Sequence, residues 1–186
     1  MGTAEALLRT FKEPLSRDAI AELAAANVGL SCSVIEDHFT LLGALPTGLT
    51  LERVCSLVGV SSRDEKIALG EAALKVDSAA SAMRVVNDYH GLTITNLDDA
   101  VSPAALFRAT TEHLMQSSSE MVALIEKFTG KASEVVIAGG WIKNPMIASA
   151  KSKQFGIYKV SDATEAGAMG AAQFAGIAAG IFKLQI

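Results

Sequence analysis

Two successive glycines, Gly139 and Gly140, close the apolar run Val135-Val136-Ile137-Ala138, and Asn144-Pro145 follows shortly after. Glycines at the carboxyl end of a strand, just ahead of a helix, sit where open α/β sheets receive ligands. Without a Cβ they allow positive φ and let a ligand touch the main chain. A plain tight turn would use the same pair, and the pair alone does not separate the two readings. The chemistry such a segment can do is binding by backbone groups.

Other chemistry is harder to find. There is no G-x-G-x-x-G, and Thr129-Gly130-Lys131-Ala132-Ser133 lacks the preceding glycine and following hydroxyl of a P-loop, which excludes the two common nucleotide folds. His38, His90 and His113 have no ligand spacing, which argues against zinc. Cys32 and Cys55 form no CxxC and read as two reduced packing residues. Glu36-Asp37 and Asp98-Asp99 read as solvated turn and cap charges, and His90 beside Gly91 as a loop residue. Lys151 and Lys153 are too few for a nucleic-acid patch.

The elements that must position the glycines follow from capping and periodicity. Ser16 caps a helix through about Asn27, which Gly29 ends; Ser31–Glu36 and Phe39–Leu45 are two short strands joined by Glu36-Asp37-His38. Thr50 opens a short helix closed by Gly59. Ser62 and Glu65 form a capping box for a helix to about Val76. Residues 87–99 read as loop, and Ser102-Pro103 start the longest helix, which ends near Phe128 before Gly130. Glu134–Ala138 is a buried parallel strand, Asn144-Pro145 begin a helix to about Phe155, Ile157–Val160 is another strand, and Thr164 caps a last helix. Strand, helix, strand, helix at this spacing means an α/β fold whose sheet is at least partly parallel.

With 186 residues the chain fits one domain, and its 50% apolar and 19% charged residues exclude disorder. That balance implies a large core or a surface made to be covered. A net charge of −4 gives no footprint for nucleic acid. No basic segment precedes an apolar run at the start, so a cytoplasmic location is expected. Residues 167–182 carry no charge and contain Gly176-x-x-x-Gly180, but 16 residues rich in Ala and Gly are too short for a membrane span. A buried helix pressed against its neighbours is the better expectation.

Four segments in order carry a resemblance. "VVIAGGWIKNPMIASAKSKQFG" with "TEAGAMGAAQFAGIAAGIF", and upstream "MGTAEALL", "FTLLGALPTGLTLERV" and "LFRATTEHL", resemble the C-terminal lobe of the FGGY carbohydrate kinases, of the actin-like ATPase superfamily with a ribonuclease-H-like fold. The Glu-Ala-x-x-x-Gly-Ala-Ala pattern falls on Glu165, Ala166, Gly170, Ala171 and Ala172, and the Arg-Ala-x-x-Glu helix on Arg108, Ala109 and Glu112. The resemblance implies one domain, residues 1–186, with a mixed sheet flanked by helices. It implies ATP as cofactor, with Gly139 and Gly140 under the phosphates and a free Asn144 amide reaching toward adenine or ribose. Gly2 and Thr3 would form the second phosphate segment, Gly48 the turn closing from the other side, and Trp141 could stack near the base or belong to the core.

The resemblance also implies what this chain lacks. In the family the N-terminal lobe brings the carboxylate base, the first phosphate loop and most sugar contacts, so no catalytic residue is expected here. Mg2+ would be held chiefly by the phosphates and that lobe, which would also bring the sugar or polyol substrate. Leu49, Lys153 and the segment "DYHGLTITNL" depart from the family pattern and point to a divergent subgroup. The alternative is a non-catalytic actin-like module for dimerisation or regulation, with the last helix as the interface of a homodimer.

Overall fold

A computed structural model of the chain describes residues 4–77, 83–87, 91–97, 101–163 and 165–183. Three antiparallel strands open the fold: β1 (Glu5–Phe11), β2 (Val28–Cys32) and β3 (Phe39–Leu45), in the order β1-β3-β2. In register, Leu8 faces Leu42 and Leu30 faces Leu41. The inner face of this sheet is covered by α1 (Arg17–Ala25) and by the C-terminal half of α4 (Pro103–Thr129), through a cluster of Leu23, Val28, Leu41 and Ile125.

A larger cluster lies among α2 (Thr47–Leu57), α3 (Arg63–Leu74), the N-terminal half of α4, and α5 (Pro145–Phe155). Its fully buried centre is Leu51, Val54, Phe107 and Ile147. The 27-residue α4 thus serves both clusters, and its start is fixed as expected: Ser102 Oγ accepts from the Ala105 amide at 3.2 Å, with Pro103 in the first turn. The Ser62–Glu65 capping box on α3 is also as expected.

Several boundaries differ from those expected. Asn27 takes the left-handed conformation, φ 58°, and ends α1 early, so Gly29 is free to pair with Leu42 inside β2. That strand stops at Cys32, and the Ser33 amide bonds His38 O at 2.9 Å to close the turn into β3. α2 begins at Thr47, before Thr50, although Gly59 does follow its end with φ 76°. Part of the expected 87–99 loop is the antiparallel hairpin of β4 (Arg84–Asn87) and β5 (Leu92–Thr95), where Leu92, Thr93, Ile94 and Thr95 alternate as a half-buried strand does. His90, Asp98, Asp99 and Thr164 lie outside the described residues.

β6 (Val136–Ile137) and β7 (Lys159–Val160) pair in parallel as expected, but over two residues each, and Val136 is 57% exposed. The largest correction concerns α6 (Ala166–Ala178), expected to be buried: only Gly176 is, while Met169, and Ile181 and Phe182 just beyond its end, are exposed. Among the described residues no helix is long and apolar enough to cross a membrane. Cys55 is buried in the core, where loss of water raises its thiol pKa to about 11, but Cys32 is exposed on β2 rather than packed.

Candidate functional site: the double-glycine loop and the buried carboxylate beneath it

β6 delivers the chain to Gly139, whose φ of 111° is closed to side chains, and then to a single 3-10 turn over Gly140–Lys143. Gly140 is different. Its φ lies outside the left-handed range, and a Cβ added to it would meet no described atom within 4 Å. A tight turn therefore explains Gly139 and leaves Gly140 unexplained. Both residues are exposed, as is Lys143 at the end of the turn. The loop presents bare backbone beside a positive charge that sequence reasoning passed over.

The other loop side chains turn inward. Of the two places expected for Trp141, beside the base or in the core, it takes the second: it is 9% exposed and tilts against Phe107 with ring centroids 6.4 Å apart. Lys66 of α3 lies 5.7 Å from the Trp141 ring and reaches Glu52 of α2 at 2.7 Å. Asn144 is buried, and its amide is not free: Nδ2 donates to the Lys66 carbonyl at 2.7 Å. Its Oδ1 accepts from the Met146 and Ile147 amides at 3.0 and 3.4 Å. The first amides of α5 are thus occupied by its own cap, so its N-terminus has nothing left for an anion. Gly70 makes this packing feasible, since a Cβ there would come within 2.7 Å of Asn144 Cγ and Nδ2.

Gly48, expected in a turn, instead lies in the first turn of α2 and is buried beside Thr47. Gly2 and Thr3 fall outside the described residues. Close by in sequence, however, stands a feature that no local pattern signalled. Glu5, at the start of β1, is buried, and its carboxylate accepts from Thr47 Oγ1 at 3.1 Å, from Ser118 Oγ at 2.9 Å and from Lys151 Nζ. Lys151 also donates to Ser118 Oγ at 3.3 Å and to Gln154 Oε1 at 2.9 Å, and Gln154 Nε2 donates to Ser118 Oγ at 2.9 Å. Burial pushes the Lys151 ammonium below its usual 10.5, and the negative charge of Glu5 opposes that shift. A cavity of about 300 Å³ adjoins this network between β1 and β6, lined in part by Arg9, Glu134, Ala138 and Phe155; it flanks the glycine loop rather than containing it.

Residues 1–179 match the model of the FGGY family of carbohydrate kinases, C-terminal domain. The chain belongs to the FGGY family. No curated protein matches it in sequence. Among solved structures, this FGGY C-terminal domain is similar to xylulose kinase from Rhodospirillum rubrum, with a TM-score of 0.76 and 16% identity over 93% of this chain and 36% of that one. It is similar to Plasmodium falciparum glycerol kinase with ADP, with a TM-score of 0.74 and 16% identity over 99% of this chain and 38% of the other. Gluconate kinase from Lactobacillus acidophilus gives 0.73 and 14%, over 98% and 38%. At these identities the likeness establishes the expected α/β, actin-like ATPase fold, and the chain spans under two-fifths of the length of each neighbour.

Proposed function

We propose that this chain is the nucleotide-binding lobe of an ATP-dependent carbohydrate kinase, and that Gly139 and Gly140 are where the phosphates approach. The observation that carries this reading is the setting of Gly140. Neither its conformation nor any described neighbour within 4 Å requires a glycine, as is also true of Gly167 and Gly170. Gly140 alone of these three follows a parallel strand and stands beside an exposed lysine, where a ligand would lie against the main chain. The exposed Lys143 adds a positive charge at the same loop. Trp141 and Asn144 serve by holding the loop, through Phe107 and the Lys66 carbonyl, rather than by touching the base or ribose. Gly2 and Thr3, outside the described residues, remain in this reading a second phosphate segment, and Gly48, buried in the first turn of α2, would act through the backbone of that turn.

In this reading the chain binds, orients and screens the nucleotide, and a second lobe supplies the sugar or polyol, the base that takes its hydroxyl proton, and most of the water exclusion on closure. ATP would supply the γ-phosphoryl group. Among the described residues no three His, Cys, Asp or Glu gather to hold a metal ion, so no step is assigned to Mg2+ on this chain's side chains. The bare apolar surface of α6, with Met169 48% and Ile181 73% exposed, suits a helix that the second lobe covers. Calorimetric titration with Mg-ATP and Mg-ADP tests the reading: saturable heat that Gly140→Val abolishes supports it, and equal heat from both proteins refutes the placement.

The same bare helix favours a second reading, a non-catalytic module that dimerises through α6. It predicts a dimer in sedimentation velocity that Ile181→Glu dissociates; a monomer at all concentrations would remove it.

A further inference from the structure

The stretches that the nucleotide reading sets around the phosphates are far apart in the chain, yet one carboxylate bonds both to the helix that carries Gly48 and to the helix into which the glycine loop leads. Glu5 stands two residues after Thr3. Thr47, next to Gly48, donates to its Oε2 at 3.1 Å. Lys151, on the helix into which the glycine loop leads, donates to its Oε1, and Ser118 of the long helix donates to the same oxygen at 2.9 Å.

We infer that Glu5 and Lys151 are positioning residues: their buried pair fixes the first turn of α2 relative to the Gly139–Gly140 loop, and thereby the width of the phosphate cradle, without touching the nucleotide. The inference rests on the nucleotide reading above for its functional consequence, though not for the coupling itself.

Three observations carry it. First, the network is complete. The three ammonium protons of Lys151 go to Glu5, Ser118 and Gln154, and the Ser118 hydroxyl donates to Glu5 while accepting from Lys151 and Gln154. A saturated, buried network of directional bonds admits few alternative arrangements, whereas an apolar cluster of the same volume would let its elements slide. Second, well-packed apolar residues often replace a buried ion pair at no cost in stability, so stability alone does not account for this one. Third, α5 transmits that geometry. Its start is held by Asn144, which caps Met146 and Ile147 and binds Lys66, so Lys151 cannot shift without carrying the end of the glycine loop.

The test compares Lys151→Met, Thr47→Val and, as a control in the separate cluster under the antiparallel sheet, Leu23→Ala. Two quantities are read below the melting temperature of every variant: Mg-ADP affinity by calorimetry, and deuterium exchange at the amides of residues 47–48 and 139–144. Lys151→Met should weaken Mg-ADP binding by about tenfold to a hundredfold and speed exchange in both segments together. Thr47→Val, which removes one hydroxyl and no charge, should do the same to a smaller extent, including faster exchange at 139–144 far from the substitution. Leu23→Ala should lower the melting temperature and leave both quantities alone.

Unchanged affinity, with exchange altered only next to each substitution, would overturn the inference. If wild type takes up no Mg-ADP, joint acceleration of the two segments still supports the coupling while the nucleotide reading falls. If Lys151→Met does not fold, Thr47→Val decides by the same readings.

Discussion

Two glycine-rich segments of this chain look alike in sequence and behave oppositely in the fold. From Gly139 to Asn144 every large side chain is buried or bonded to α3 and α4, and what remains exposed is the backbone of two glycines and one lysine. From Ala166 to Phe182, through α6 and the turn beyond it, the segment is mostly exposed, with Gly176 its one buried position. Small residues thus serve two purposes. In the first segment they leave bare backbone on a frame of packed side chains; in the second they leave an uncovered apolar surface. A rigid frame should punish substitution, and an uncovered surface should tolerate it.

The largest effect is expected under the first segment. Lys151→Met leaves the Glu5 carboxylate buried without its cation, a loss of about 3–5 kcal/mol. In thermal unfolding of a chain this size, that lowers the melting temperature by roughly 6 °C or more. A fall of a degree or less would mean that the pair is more solvated than the structure shows.

Next comes a matched pair of glycines. Gly70→Ala drives a methyl group against Asn144, which cannot move because it caps α5 and binds Lys66, and should cost about 1–3 kcal/mol by denaturant unfolding. Gly176→Ala also meets a neighbour, the ring of Phe182, but that ring is exposed and free to turn away. The gain in helix propensity, up to about 1 kcal/mol, then makes the change neutral or stabilising. Equal losses from the two would dissolve the contrast between the segments.

The smallest effect concerns the cap of α3, the helix that carries Lys66. Backbone amides of Ser62 and Ser61 donate to the Glu65 carboxylate and hold its pKa below the ordinary 4.5. Because the folded value is the lower one, its contribution is present above the unfolded value and is lost as pH falls through the folded value. Glu65→Ala should therefore melt slightly below wild type at neutral pH, with the difference vanishing in acid.

What was legible in the sequence was local. Ser102-Pro103, the Ser62–Glu65 box and Asn144-Pro145 place helix starts correctly because a cap and its amides lie within three residues of each other. The parallel strands flanking the glycine pair were legible as short apolar runs, but their pairing over only two residues each, with Val136 exposed, was not. The end of α1 falls two residues before the expected Asn27 because Asn27 itself turns left-handed, leaving Gly29 to pair within β2. The Glu5–Lys151 pair was illegible: 146 positions separate its members, and nothing local marks either as buried. Asn144 was given an outward role, and Trp141 left open between base and core, because type and spacing reveal a residue's chemistry but not which way the fold turns it. The exposure of α6 was missed because an uncharged Ala-Gly helix reads alike whether its cover lies in this chain or in another.

The most direct test separates folding from binding at Gly140. Thermal unfolding of wild type and Gly140→Val is measured with and without Mg-ADP. A ligand at about a hundred times its Kd adds about 2.7 kcal/mol, a shift of several degrees. Wild type should rise with nucleotide, and Gly140→Val should melt where free wild type does and stay there. A variant that rises as far as wild type would contradict the central claim that the bare backbone at Gly140 is kept for a phosphate.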